Sequence, residues 1–452
     1  MRVAGACCKI WGMKDGIAAQ AKAALEKLNE HGYEAYLVGG CVRDLLMGEA
    51  PRDWDVTTDA TPGEMQEVFA GFRTIETGLK HGTLTVLIDG VSIEVTTYRI
   101  DGDYEDNRRP VSVTFTRSLK EDAARRDFTI NAIAMDADGN VRDYFGGEDD
   151  IRAKKVKCVG VPDERFREDG LRILRALRFA SVLGYSVEER TSRAVHANRG
   201  LLENISSERV QAELTAILCG KDVKKTLRKF ADVIGVVIPE ILPMIGFDQR
   251  TPYHCHDVWE HTLAVIENSP ATPVMRWTAL LHDVGKPQCF TMDRNGVGHF
   301  YRHQVASGAM AGHIMRRLRF DNHSRETVAA LVGGHMDISE PRKKTVRRLM
   351  GKYGEDMLRL LIAFKRADNM GQAELVKGRQ LELDECERIV NDILRNNECF
   401  TIMDLAVNGY DMIELGYKGK EIGLTLGRLL DAVIDGKVEN EHEKLLGFAR
   451  SV

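Results

Sequence analysis

Nowhere among these 452 residues do about 18 apolar residues follow one another, which excludes a membrane-spanning helix read from hydropathy. No CxxC pair occurs among the nine cysteines. Their odd number and scattered spacing fit neither a disulfide framework nor a zinc clamp. The adjacent Cys7 and Cys8 stand too close for an ordinary disulfide. Low-complexity tracts and fixed-period repeats are lacking as well. The opening stretch, MRVAGACCKIWGMKDG, has no apolar run of secretory length. Together these absences predict a cytoplasmic protein with free thiols and no membrane partner.

Basic character overall is also missing: the formal net charge is −5. The cations are gathered instead. Between Arg152 and Arg178 nine Lys/Arg face four Asp/Glu, a local excess of five. Such a run fits a solvated helix face, and it also fits a surface that meets nucleic acid. Charged residues at 29% and hydrophobic residues at 43% read as globular. The length calls for two to four domains.

The first third alternates short β-rich runs with turns: AYLVGG, WDVTT, LTVLIDGVSIEVTTYR and VSVTF. Asp-Gly inside LIDGVSIEV marks a hairpin. From about Glu164 onward, apolar residues recur at three- and four-residue spacing, as in FREDGLRILRALRFASVLG, and the chain reads as helical to its end.

The chemistry starts in GGCVRDLLMGEAPRDWDVTT. Asp53 and Asp55 alternate along an extended run, so their carboxylates project to one side. Two adjacent carboxylates repel unless a cation lies between them, and Mg²⁺ takes carboxylate and phosphate oxygens together. Two such ions can hold the attacking and leaving oxygens of a phosphoryl displacement. Gly39 and Gly40 allow backbone N–H groups near a phosphate, and Arg43 can clamp it. Glu94, in SIEVTTYR, is the candidate third carboxylate on a neighbouring strand.

Read together, LVGGCVRDLLMG and RDWDVTTDATPGE resemble the head-domain signature of class II tRNA nucleotidyltransferases and bacterial poly(A) polymerases, within the DNA polymerase β superfamily. ARRDFTINAIAMD is similar to the second block of that family. The resemblance implies that Arg126, Asp127 and Asn131 meet the ribose and triphosphate. YRIDGDYEDNRRPVSVTF, with Gly102, Asn107, Arg108, Arg109 and Pro110, resembles the flexible loop that helps the family pass from C to A addition.

ERFREDGLRILRALRFA resembles the nucleotide-templating block. Read as one helix, Asp169, Arg172 and Arg175 share a side, and Arg178 continues the row. Asp169 can accept from an exocyclic amine while Arg172 donates to a ring nitrogen. Cytosine and adenine offer that pattern; uracil and guanine invert it. A buried pair of this kind rejects the inverted pattern because its partners would be left unpaired. The resemblance adds Glu168 to the templating set and gives Arg175 and Arg178 to the incoming nucleotide. SSERVQAEL resembles a further block, in which a helix cap and Glu208–Arg209 buttress the templating helix.

Downstream, CHDVWEHTLAVIE supplies His256, Asp257 and His261, and WTALLHDVGKP supplies His282 and Asp283. His303, His313, His335 and Asp368 follow. The ordered set resembles the HD phosphohydrolase domain. The implied metal ligands are His261, His282, Asp283 and Asp368, with His303 and His335 as extras, suited to Mn²⁺, Ni²⁺ or Mg²⁺. In the final segment Lys418 and Lys420, flanked by Gly416 and Gly419, can meet an RNA backbone.

The expected fold is α+β: a polymerase β-like head with a small mixed sheet, followed by an all-helical neck, body and HD domain. The expected boundaries are a nucleotidyltransferase head over 1–145, a helical neck and body for nucleotide selection and tRNA binding over 146–245, an HD domain over 246–380 and a helical tail over 381–452. The resemblance implies addition of CCA, from CTP and ATP, to the 3′ acceptor end of tRNA, with two Mg²⁺ ions in the head held by Asp53 and Asp55; Glu94 stands with them as the candidate third catalytic carboxylate. An A-adding enzyme or a poly(A) polymerase is the near alternative. An HD phosphohydrolase with an RNA-binding head is the distant one. The sequence leaves open the activity and metal of the HD domain and the oligomeric state.

Overall fold

A computed structural model describes residues 16–102, 104–105, 109–110, 113–251, 256–338, 340–372 and 379–451. Cys7, Cys8, Asn107 and Arg108 lie outside the described residues. The chain divides into two compact units, Met1–Val237 and Ile238–Val452. No helix among the described residues is long and apolar enough to cross a membrane.

The first unit is built on a seven-stranded sheet. Its strands are β1 (Ala35–Val38), β2 (Trp54–Thr58), β3 (Arg73–Ile75), β4 (Thr83–Ile88), β5 (Val91–Thr97), β6 (Ile133–Met135) and β7 (Val141–Asp143), in the spatial order β7-β6-β1-β2-β5-β4-β3. All neighbours are antiparallel except β2 and β5, which run parallel. The expected Asp89–Gly90 turn joins β4 to β5. Alternating burial along β4 and β5 gives the sheet one inward face. Helix α1 (Ala19–Glu30) covers it with Ala21, Ala24, Leu25 and Leu28, all fully buried and spaced by three, four and seven positions.

The polar stretch after β5, expected as a loop, pairs with itself. Arg99–Asp101 is antiparallel to Val113–Phe115, and Tyr104–Glu105 to Arg109–Pro110. VSVTF reads as a β-rich run in the sequence and supplies one of these strands; the polar segment between shows no period of two.

Helix α2 (Gly40–Met47) leaves the end of β1. The helical part of this unit includes α3 (Pro162–Glu168), α4 (Leu171–Leu183) and α5 (Ser207–Leu218), with α4 packed along α5. Here the structure corrects the sequence reading. Asp169, Arg172 and Arg175 do not share one continuous helix. The chain breaks at Asp169, whose backbone is extended (φ −138°, ψ 106°). The Asp169 carboxylate accepts from the Leu171 N–H at 3.0 Å and starts the new helix. Gly170 lies in close approach: a Cβ there would lie 3.1 Å from both Cβ and O of Leu201, which would have to give way.

The second unit is helical, with one small hairpin (Phe290–Met292 and Gly298–Phe300). Its main helices are α6 (Val258–Asn268), α7 (Pro273–Leu281), α8 (His303–Arg317), α9 (Asn322–Gly334) and α10 (Lys343–Met370). The C-terminal helices pack a small core of their own around Met412, Leu429 and Leu445. Lys418 and Lys420 are exposed beside it.

Leu25 is fully buried under the sheet and Leu381 is 76% exposed. Leu25→Ala is expected to lower the stability of the first unit by about 2–5 kcal/mol, seen as a fall in its urea midpoint. Leu381→Ala should move neither unit by more than about 0.5 kcal/mol. Equal shifts for the two variants would contradict this assignment of the core.

Candidate active site and a buried histidine cluster

In the first unit the sheet edge, α2 and α4 converge on a cavity of about 490 Å³. Gly39 caps α2 with φ +75°, a left-handed conformation that favours glycine. A Cβ there would lie 3.4 Å from Asp55 Oδ2 and 3.6 Å from an Arg126 nitrogen. Arg43, one turn into α2, donates to Asn131 Oδ1 at 2.8 Å. Gly39, Gly40, Arg43, Asp55, Arg126, Asp127, Asn131, Asp169, Arg172, Arg175 and Arg178 all line this cavity. Glu168 does not; it ion-pairs with Arg165 and Arg172. Asp53, one residue ahead of β2, and Glu94 are exposed.

The register explains the carboxylates. Parallel pairing sets Asp55 opposite Glu94. Burial, then the charge of Glu94, and finally Asp53 push the Asp55 carboxyl up to about 6, while Arg126 opposes them. The mutual repulsion is what a divalent cation would relieve, so this donor set fits such a metal.

Beyond the carboxylates the lining is cationic: seven arginines (43, 125, 126, 172, 175, 178 and 209) against Asp55, Asp127 and Asp169. Asp127 is buried and grips the Arg175 Nε at 2.7 Å. Burial alone would raise its carboxyl, yet Arg175 holds it below the usual range. Asp122, fully buried, takes Arg125 at 2.7 Å and Arg126 at 3.1 Å. Arg209 donates to Asp169 Oδ2 at 2.9 Å. Arg172 reaches the carbonyls of Arg165 and Arg125, each at 3.2 Å. Thus Asp169 and Arg172 are each fixed from behind. Ser206 sits at the N-cap of α5 without a side-chain cap bond. Sequence reasoning did not single out Arg125, Phe179 or Asp122 for this site. Arg125 stood inside the second block, and Phe179 stood one turn beyond Arg175.

In the second unit His261, His282, Asp283, His303, His335 and Asp368 come together, all buried. His256 and His313 are exposed and stand apart. Asp257 caps α6, accepting from the Glu260 N–H at 2.7 Å. The Nδ1 atoms of His261, His282, His303 and His335 lie 3.0, 2.8, 2.8 and 2.7 Å from the carbonyls of Gly371, Ala279, Phe300 and Val332. A carbonyl only accepts, so each Nδ1 carries the proton and each Nε2 lone pair turns inward. The Nε2 atoms of His261 and His282 are 3.2 Å apart, and those of His303 and His335 are 3.3 Å apart. Facing lone pairs at that separation repel. Either a bound cation or a proton on His282 relieves them; burial lowers the His282 imidazole, but Asp283 beside it raises it overall. Burial, with His282 next, drives the His335 imidazole down to about 3, which keeps it neutral. Potential ligand atoms within 4.8 Å of one another form two sets, His261/His282/Asp283 and Asp283/His303/His335. Asp283 belongs to both, and neither of its oxygens has a well-aligned hydrogen-bond donor.

Three family matches divide the chain: the Poly A polymerase head domain over residues 35–157, the probable RNA and SrmB-binding site of polymerase A over 184–241, and the HD domain over 253–371. The CCA-adding enzyme of Geobacillus thermodenitrificans is 36% identical over 95% of this chain and 96% of its own. That of Lactobacillus delbrueckii subsp. bulgaricus is 34% identical over 96% and 97%. The chain belongs to the CCA-adding enzyme family. The crystal structure of the Bacillus stearothermophilus CCA-adding enzyme in complex with CTP superposes with a TM-score of 0.71 at 31% identity, covering 96% of each chain. The family's nucleotidyltransferase head implies use of a divalent metal.

The raised Asp55 carboxyl gives this family member a pH signature. In the folded state it binds a proton more readily than its ordinary value of 3.8 allows. Its ionisation therefore costs stability above about pH 6, and the cost fades as pH falls toward 4. Without divalent metal, Asp55→Asn should melt higher than the parent at pH 7.5, by a few degrees. The gap should close by pH 4, and MgCl₂ at pH 7.5 should raise the parent more than the variant. A gap that widens on acidification would show that Asp55 is not held in a repulsive cluster.

Proposed function

We propose that this chain adds C, C and A to the 3′ end of tRNA, taking CTP and ATP, without a nucleic-acid template. The observation that carries the reading is the joining of two features at one cavity: Asp55, the member of the repelling carboxylate set that reaches it, and the Asp169/Arg172 pair, under an excess of arginines. The names of the relatives and the CTP in the B. stearothermophilus structure support it.

Asp53 and Asp55, with Glu94 across the strand pair, would hold two Mg²⁺ ions, which supply activation of the 3′-hydroxyl and neutralisation of charge at the α-phosphate. The chain's own residues do the rest. Arg43, Arg126, Arg175 and Arg178 bind the triphosphate, and Asp127 and Asn131 orient Arg175 and Arg43. Gly39 and Gly40 keep the floor clear of side chains. Asp169 accepts from the exocyclic amine of C or A, and Arg172 donates to the neighbouring ring nitrogen. Asp169 has capacity left, since a carboxylate can accept about four hydrogen bonds and the Leu171 N–H and Arg209 supply two. Glu168, through Arg172, and Arg209, through Asp169, fix the reading pair. The working division of labour is head 1–145, neck and body 146–245, HD 246–380 and tail 381–452, in a cytoplasmic enzyme. The paired Nε2 atoms and shared Asp283 favour a second activity, a metal-dependent phosphohydrolase, with His261, His282 and Asp283 as ligands joined by His303 and His335, and with Asp368, 3.2 Å from His261 Nε2, as the further carboxylate.

The test is incorporation of each labelled NTP into tRNAs lacking the last three, two or one nucleotides. C, C and then A should be added in order, with UTP and GTP refused. Addition of A alone to the nearly complete tRNA would make this an A-adding enzyme. Asp55→Ala should lower kcat by at least about 10³-fold. Asp169→Ala should cut discrimination against UTP by about 10–100-fold while leaving triphosphate binding nearly intact.

A second expectation separates the two metal sites. His282→Ala should remove tightly bound transition metal, read by elemental analysis, and abolish phosphatase activity. Nucleotide incorporation should stay within about twofold of the parent. A matching loss of incorporation would contradict independent sites.

A further inference from the structure

Phe179 lies on α4, 7% exposed, at the wall of the nucleotide cavity. Its ring packs edge-on against Phe128, centroids 5.6 Å apart at 78°. Three guanidiniums surround it: the Cζ atoms of Arg43, Arg175 and Arg178 stand 5.4, 5.5 and 4.6 Å from its centroid. Each arginine is also held from outside. Arg43 bonds Asp44 and Asn131, Arg175 pairs with Asp127, and Arg178 pairs with Glu213. These outer anchors differ in element and chemistry. The aromatic ring is the partner the three share.

Three like charges around one point repel, and an array poised for a triphosphate must stay assembled before the polyanion arrives. An aromatic face carries negative quadrupolar charge and attracts cations within about 6 Å. An aliphatic side chain of similar size would fill the space and supply no such field. We propose that Phe179 is a positioning residue: its ring holds Arg43, Arg175 and Arg178 as one array that receives the triphosphate of either nucleotide. This rests on the reading of the cavity as a nucleoside triphosphate site. It assigns to Phe179 no contact with the base.

The full-length protein is made with phenylalanine, then mono-, di- and trifluorophenylalanine, at position 179. Fluorination drains the ring face while nearly keeping its shape, so packing and field are separated. Steady-state KM and kcat are measured for CTP and ATP, inorganic tripolyphosphate binding by calorimetry, and melting temperature in parallel. Log KM should climb stepwise with fluorine count, to about tenfold for the trifluoro ring, equally for CTP and ATP. Tripolyphosphate affinity should fall in step, with kcat within about threefold and melting unchanged. Phe179→Tyr should stay within about twofold of the parent, and Phe179→Leu should lose at least as much as the trifluoro ring. A flat KM and flat tripolyphosphate affinity across the series would overturn the role of the ring alone. A parent protein that binds neither CTP nor tripolyphosphate would overturn the nucleotide reading and this inference with it.

Discussion

The ion pair between Asp127 and Arg175 is the constraint on which the first unit's chemistry depends. Asp127 belongs to the segment just before β6, and Arg175 to α4. One buried pair therefore ties the sheet-bearing head to the helix that carries Arg172, Arg175 and Arg178 to the cavity. Breaking such a pair from one side leaves a buried charge, at a cost of roughly 3–5 kcal/mol. Removing it would also free Arg175 from one of its two holds. Around this tie the other contacts are arranged as supports. Asp122 steadies the two arginines that precede Asp127, and the Arg125 carbonyl in turn accepts from Arg172.

Much of this was legible in the sequence because it rests on local rules. Alternation exposed the strands, and the Asp-Gly turn fixed the β4–β5 hairpin; the parallel pairing of β2 with β5 that sets Glu94 beside Asp55 is a longer-range contact. The order of the carboxylate, arginine and templating blocks carried the family. What was not legible depends on distant packing. The break at Asp169 and Gly170 is hidden because helical periodicity runs unbroken through FREDGLRIL; in the fold Asp169 turns extended and its carboxylate accepts from the Leu171 N–H. The ribbon after β5 is too polar to declare itself. Arg209 was named as a buttress, but its partner Asp169 lies 40 positions away and is given only by the fold; Asp122 pairs locally, with Arg126 four positions on, and its burial is what the sequence does not show. Phe179 reads as an ordinary core residue until three arginines are seen around it.

The second unit shows the same division. The order of histidines and aspartates was enough to nominate six ligands. That Asp283 serves two overlapping sets could not be read from order, because it depends on α8 and α9 delivering His303 and His335 to the opposite side of the carboxylate. His256 and His313 lie in the same stretch of sequence and fall outside the cluster, which shows how little spacing alone decides.

The missing side chain at Gly170 has a wider consequence. A Cβ at this position would meet Leu201 at 3.1 Å and Ile205 at 3.4 Å, so any larger residue asks that neighbouring turn of chain to give way. If Asp169 reads the base as proposed, a change at Leu201 or Ile205 would bear on base choice through packing alone. A survey restricted to side chains that line the cavity would pass over both.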